Sequence, residues 1–371
     1  MTPVLTPPQL ATESETAERG ESSPVTNVEI KLVDPLTGSE WDQLVLSHRD
    51  ATFFHSAAWA RVLAKSYGHR PLYLHFSRCG ELLALVPMME VKSYFTGRRA
   101  VCLPFSDGCS PLLFNNCKPS VVAARLSLLA LERSWKHFEI RGANGFELPV
   151  DLAVEYHGHA LDLRQNAEDL LAGFSSSVRR AIRKAEASRL SVEVSRNPES
   201  VVEFYRLHVQ TRRRHGLPPQ PFLFFRNILN EVIRKGSGFV VRASLESRCV
   251  AAAIFLQFGR TAIYKFGASE PASQEMRGNN RVMWEGIRFL ARGGCESLHF
   301  GRTSLTDVGL RRFKLGWGTA EELIRYFKWN AATGEWVGGC DHARGLHNMV
   351  FTKMPLAVNR LAGAILYPHL D

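Results

Sequence analysis

Two stretches of this chain run through the same series of elements, and that repetition limits the architectures open to it. In the first, residues 27–33 (NVEIKLV) alternate as a strand does, and Ser39 caps a helix through Trp41 and Leu44. A second helix starts after Ser56, with Trp59, Val62 and Leu63 at helical spacing and Gly68 as its stop. The runs PLYLHFS, ELLALVPMMEV and RRAVCLPF then predict three strands, residues 121–135 a helix, and HFEIRG a strand. In the second stretch, SVEVS is the strand and Asn197-Pro198 opens a helix that Gly216 closes. Pro221 opens the next helix, with Phe224, Phe225, Ile228, Val232 and Ile233 facing inward and Gly236 at its end. GFVVRASL, VAAAIFLQF and TAIYKFGA follow as three antiparallel strands, then a helix over 280–292 and strands at SLHFG and ELIRYFKW.

The order β-α-α-β-β-β-α-β therefore occurs twice. It matches the topology of the acetyltransferase (GNAT) fold in each half. The expectation is an α/β (α+β) chain of two tandem GNAT-like acyl-CoA N-acyltransferase domains, with mixed, mostly antiparallel sheets flanked by helices. Hydrophobic residues make up 45% of the 371 positions, enough for two cores. We place the domains at 27–165 and 166–335, after a disordered tail over 1–26 and before a helical extension over 336–371. The tail is rich in Pro, Ser, Thr and Glu and lacks the basic and apolar regions of a secretory signal. With no long charge-free stretch anywhere, the reading is a cytoplasmic protein. Seven scattered cysteines without a CxxC pair predict neither disulfides nor a zinc site.

The formal net charge is +10, so the distribution of cations matters. In FSSSVRRAIRKAEASR, Phe174, Val178 and Ile182 recur every four residues and face a core. Arg179 with Arg183, and Arg180 with Lys184, then stack as like-charge pairs on the outer side. A bridging diphosphate or RNA backbone would relieve that repulsion; a solvated face beside Glu186 is the plainer reading. A second cluster, TRRRHG, puts Arg212 and two more arginines in the last turn of a helix, where the dipole alone favours cations. His208 and His215 are read as packing residues. Tyr264, in YKFGAS, would position a substrate hydroxyl or amide, or simply be half-buried in its strand. Arg302, in FGRTS, follows a strand end where ligand-facing residues lie, or pairs with Asp307.

Seven segments in order resemble the FemAB family: FHSAAWARVLAKSYGHRPLYL, LPFSDGCSPLL, FSSSVRRAIRKAEASRLSVEV, FYRLHVQTRRRHGLPPQPFLFF, YKFGASEP, LHFGRTS and LRRFKLGWGT. GLPPQP and FGRTS look more like a subgroup found with exopolysaccharide systems. The resemblance implies transfer of an aminoacyl or acyl group to an amine of a cell-envelope precursor, in peptidoglycan or exopolysaccharide biosynthesis. It implies that Asp107 lines the acceptor cleft, holding an ammonium or taking its proton, unless it merely braces an Asp-Gly turn. It also implies that Phe313-Lys314 is the pair whose lysine stabilises the oxyanion of acyl transfer.

The acyl donor stays open between aminoacyl-tRNA and acyl-CoA, and no further cofactor or metal is implied. At EMRGNNRVMWEG a single glycine, Gly278, stands where CoA enzymes carry a glycine-rich pyrophosphate turn. The expected partner is a phosphate-bearing envelope precursor, lipid-linked or a nucleotide sugar, with tRNA as a second. The apolar, basic run over 344–370 is read as a packed terminal helix or as a peripheral membrane contact at the inner face. A CoA-dependent N-acetyltransferase of an amino sugar, or a glycan- or nucleotide-sugar-binding module without chemistry, are the alternatives.

Overall fold

A computed structural model of the protein describes residues 28–37, 40–142, 146, 148, 150, 154–339 and 347–370. The N-terminal tail and Ser39, the expected first cap, lie outside the described residues. The first half holds strands β1 (Glu29–Val33), β2 (Arg70–Arg78), β3 (Glu81–Ser93), β4 (Gly97–Val101), β5 (Leu112–Leu113) and β6 (His137–Gly142). Its helices are α1 (Glu40–Leu46), α2 (Ala57–Tyr67) and α3 (Pro119–Glu132). Strand β7 (Val154–Asp162) and helices α4 (Ala167–Gly173) and α5 (Ser176–Glu186) lead onward. Then come β8 (Leu190–Ser195), α6 (Pro198–Arg214), α7 (Phe222–Ile228), β9 (Gly238–Leu245), β10 (Arg248–Phe258), β11 (Thr261–Ser269) and α8 (Gly278–Arg292). The second half ends with β12 (Ser297–His299), β13 (Thr303–Ser304), α9 (Val308–Leu315) and β14 (Ala320–Asn330). Strand β15 (Glu335–Val337) and helices α10 (His347–Lys353) and α11 (Leu356–Leu366) complete the chain.

The local signals act as read. The Ser56 side chain accepts a hydrogen bond from the Trp59 N–H and starts α2, and Gly68 ends it at φ 71°. Asn197 caps α6 through the Ser200 N–H, with Pro198 in the first turn. Helix α7 widens into a π turn over Leu229–Ile233, which keeps Val232 and Ile233 buried.

The strands form one sheet in the order β1-β2-β3-β4-β6-β14-β7-β12-β11-β10-β9-β8. Along that path, β4 with β6 and β11 with β12 are parallel and every other pair is antiparallel. Strand β7 precedes residue 165, yet it pairs with β12 and β14. Strand β14 comes from the second half, yet Arg325–Asn330 of it pair with β6. Each half therefore contributes its last long strand to the other's part of the sheet, so a boundary at 165/166 cuts the chain but not the ladder.

Three large cores follow from this arrangement. One lies between β14 and α3, where Phe138, Trp135 and Leu126 meet Phe327 and Trp329. The second packs α5 and α8 on β9–β12, with Phe174, Phe255, Trp284 and Trp317. The third is shared: Trp59 of α2 meets Phe224 of α7 at 5.8 Å, and Tyr67 stacks on the same ring at 5.6 Å. Fully burying each such side chain contributes on the order of 1.5–3 kcal/mol. No helix among the described residues is long and apolar enough to cross a membrane.

A chain cut after residue 165 would keep β7 without its partners and leave Phe138 and Ile140 uncovered by β14. It is expected to aggregate or lack near-UV circular dichroism when expressed alone. A folded, monomeric fragment with cooperative unfolding would show that the exchange is dispensable.

Candidate active site

Strands β11 and β12 are paired only between Thr261–Ile263 and Ser297–His299. Beyond that point they diverge, because the chain leaves β12 through Phe300 and Gly301, which sits at φ 74°. Asp107 of the first half fills the gap. Its Oδ2 accepts from Lys265 Nζ at 2.8 Å and its Oδ1 from the Arg302 backbone N–H at 3.4 Å. Gly301 suits both demands here, since its φ is left-handed and an added Cβ would crowd the Asp107 carboxylate at 3.3 Å. Lys265 Nζ also donates to Phe105 O at 2.7 Å and lies 4.8 Å from the Phe54 ring centre.

The loop carrying Asp107 is held from several sides. Tyr326 of β14 donates its hydroxyl to Asp107 O at 2.9 Å, and Leu103 and Phe105 take φ of 47° and 57°. Left-handed non-glycine residues cost on the order of 1–3 kcal/mol each and persist where the surroundings over-determine them. Burial pushes the Asp107 carboxyl up, but the charge and hydrogen bond of Lys265, joined by Arg302 and His299, override it and hold it well below the usual carboxylate range. An ionised, paired carboxylate suits holding an ammonium rather than taking its proton.

Lys314 is not a surface lysine. It lies on α9, which Asp307 caps through the Leu310 N–H, and it is 5% exposed. Its Nζ donates to Gly301 O at 2.7 Å and Arg302 O at 3.0 Å, leaving one of three donors over. Burial pushes its ammonium down to about 8, against the pull of Asp107 and Asp307. The Arg302 guanidinium lies 4.4 Å from the Tyr156 ring centre and 5.0 Å from that of Tyr326. Three expected residues, Asp107, Arg302 and Lys314, thus meet at one point.

Other expected residues go elsewhere. Tyr264 packs in the second core against Phe255 at 5.5 Å, where burial pushes its phenol up to about 12. Arg212 braces the C-terminal segment, donating to Tyr367 OH at 2.9 Å and Pro218 O at 3.3 Å. Arg179 donates to the Ala172 and Phe174 carbonyls at 2.6 and 2.7 Å, and Arg183 is exposed on α5. Arg180 and Lys184, with Phe313, line an open groove of about 530 Å³ that also takes in Arg277, Asn280 and Arg312. None of these four cations makes an ion pair among the described residues, and no carboxylate lines the groove. Helix α9 is its wall: Arg312 and Phe313 face the groove, and Lys314 faces the diverging strands.

Two residues escaped the sequence reading. Lys265 neighbours Tyr264, and strand alternation puts the two on opposite faces, so choosing the tyrosine passed over the lysine. His159, wholly buried on β7, has both ring nitrogens without a partner among the described residues. Burial, then Lys314, pushes its imidazole down to about 4. Among the described residues, no three His, Cys, Asp or Glu side chains are grouped to hold a metal ion.

Comparison with known proteins bears on the fold. Residues 172–328 match the family model of the acetyltransferase (GNAT) domain. The chain superposes on a crystal structure of FemX with a TM-score of 0.63 at 15% identity, covering 80% of this chain and 96% of that one. The fold is that of the tandem GNAT proteins. A tandem GNAT protein from the clavulanic acid biosynthesis pathway gives a TM-score of 0.52 at 10% identity, covering 85% of this chain and all of its own. L-PGS from Bacillus licheniformis gives 0.50 at 13% identity, covering 90% and 96%. No curated protein matches the sequence. The tandem GNAT fold expected from the repeated order of elements is the fold observed, and the family match marks the second half as an acyltransferase domain.

The depressed Lys314 ammonium has a consequence for stability. Between about 8 and its ordinary value of 10.5 the unfolded chain holds a proton that the folded one has lost, so its contribution to stability rises with pH across that window. Denaturant unfolding of the parent and Lys314→Met across pH 7 to about 10.5 is expected to show that rise in the parent minus the variant. A flat difference would mean that Lys314 titrates normally.

Proposed function

We propose that this protein transfers an acyl or aminoacyl group from a phosphate-bearing donor to an amine of a cell-envelope precursor. The observation that carries this reading is the position of α9, which sets Lys314 at the diverging strands and also walls the unpaired basic groove. Donor phosphates bind Arg180, Lys184, Arg277 and Arg312, and the donor carbonyl reaches the gap between β11 and β12. The acceptor amine attacks that carbonyl: a C–N bond forms, the donor C–O or C–S bond breaks, and the amine proton leaves with the departing oxygen or sulfur. The free N–H of Lys314 faces the oxyanion formed on the way. Asp107, kept ionised by Lys265, holds the incoming ammonium, which gives one proton to solvent before the neutral amine attacks.

The FemAB resemblance supports aminoacyl-tRNA as donor and a lipid-linked or nucleotide-sugar acceptor, in peptidoglycan or exopolysaccharide synthesis. The match of the second half to an acetyltransferase domain supports acyl-CoA instead. Against CoA stands the entry to α8, where Arg277 rather than glycine takes the left-handed conformation at φ 57°.

Lys314→Met is expected to lower turnover by about 10²–10³-fold, with unchanged circular dichroism and donor binding. Turnover equal to the parent would remove Lys314 from the chemistry and favour a binding module. Aminoacyl-tRNA and acetyl-CoA should be titrated side by side at several salt concentrations. If tRNA is the donor, the Arg180→Ala/Lys184→Ala pair is expected to weaken its binding and to flatten the log–log salt slope by about 1.5. Parent-like tRNA affinity and slope in that variant would show that the groove is not the phosphate site.

A further inference from the structure

Helix α11 is packed with its apolar side outward. Val358, Leu361 and Ile365, one stripe by their spacing, are 48%, 61% and 55% exposed. The side against the protein carries Asn359 and Gly363, both buried. The approach is close there: a Cβ on Gly363 would lie 2.0 Å from Pro219 O. An ordinary surface helix does the reverse, since exposing aliphatic side chains forfeits the burial that holds it down. Helix α10 adds Met349 and Val350, also largely exposed.

A second, distant piece of chain meets this stripe. The tip of the β3–β4 hairpin presents Tyr94, fully exposed, and Phe95, 74% exposed. One turn beyond Ile365, His369 touches both rings, with centroids 5.0 Å from Phe95 and 6.3 Å from Tyr94. The junction is fixed, because Arg99 donates to His369 O at 2.9 Å and buried Tyr367 stacks on Tyr67. The fold thus places an aromatic tip beside an aliphatic stripe and leaves both uncovered.

The exposed charges around them are mostly basic: Glu90, which pairs with Arg98 at 3.9 Å, is buried, and Asp371 follows Leu370. The hairpin reads Lys92-Ser93-Tyr94-Phe95-Thr96-Gly97-Arg98-Arg99, and Lys353 and Arg360 are exposed on the helices. No Asp or Glu occurs over residues 91–105 or 347–370. We propose that this face docks on an anionic lipid bilayer. The stripe and the aromatic tip enter the boundary between headgroups and acyl chains, and Lys92, Lys353 and Arg360 meet the lipid phosphates. Charge decides against a second copy of the chain as the occupant, since a symmetric contact would set these cations against themselves. The inference does not rest on the acyl-transfer reading, and vesicle binding would stand if the turnover tests failed.

The test is flotation of the full-length protein with phosphatidylcholine vesicles, with and without phosphatidylglycerol, at low and high salt. The protein is expected to float with the mixed vesicles, less with phosphatidylcholine alone, and less as salt rises. Tyr94→Ser/Phe95→Ser and Leu361→Ser/Ile365→Ser change only exposed side chains, and each pair is expected to weaken partitioning by about 10-fold or more. Absence of flotation, or variants that float like the parent, would overturn the proposal. So would a dimer in light scattering that dissociates in the Leu361→Ser/Ile365→Ser variant, which would assign the face to a second copy.

Discussion

Strand β14 is hydrogen-bonded on one edge to β6 of the first half and on the other to β7. Its N–H and C=O groups at the junction have no other place to be satisfied, so the halves cannot part without exposing a backbone ladder. Much else depends on that fusion. Tyr326 sits on β14 opposite Arg141 on β6 and Val154 on β7, and its hydroxyl holds the loop that carries Asp107. That loop reaches Lys265 and Gly301 only because the exchanged strands fix the first half against the second.

The site is rich in cations, and each is stabilised by a different means. Lys265 has the Asp107 carboxylate at 2.8 Å, and Arg141 has Glu139 at 2.7 Å. Arg302 lies against two tyrosine rings, and among the described residues Lys314 has only carbonyls within hydrogen-bond reach. The differences sort their chemistry. Burial pushes both ammonium groups down, but the Asp107 carboxylate pulls Lys265 back up, whereas Lys314, without a carboxylate contact, is pushed down to about 8. A buried donor aimed from a fixed helix is the arrangement that serves charge developing during acyl transfer.

The two uncovered surfaces differ in kind. The groove between α5 and α9 is lined by four cations, with room for a flexible phosphate chain. The α11 and hairpin face is apolar and only rimmed by cations. Packing α11 through Asn359 and Gly363 positions that face at a cost in burial.

Local chemistry was legible from residues a few positions apart. The caps at Ser56 and Asn197, the stop at Gly68 and the buried stripe of Val178 and Ile182 act within a turn or two, so sequence alone determined most of the long elements and their order. It also marked Asp107, Arg302 and Lys314, which do meet. Strand β7 was not legible, because VEYHGHALD puts Gly158 and His159 at buried positions where a strand usually shows aliphatic residues. Nor was the fate of the basic residues: Arg179 and Arg212 became struts, Arg180 and Lys184 a groove wall, and Lys314 a buried donor. Those outcomes rest on partners such as Lys265 with Phe105, 160 positions apart, and Tyr326 with Ser106, 220 apart. Only the tertiary structure decided them, because spacing along a chain governs neighbours within a few residues, while the closing of the exchanged sheet chooses which distant residues touch.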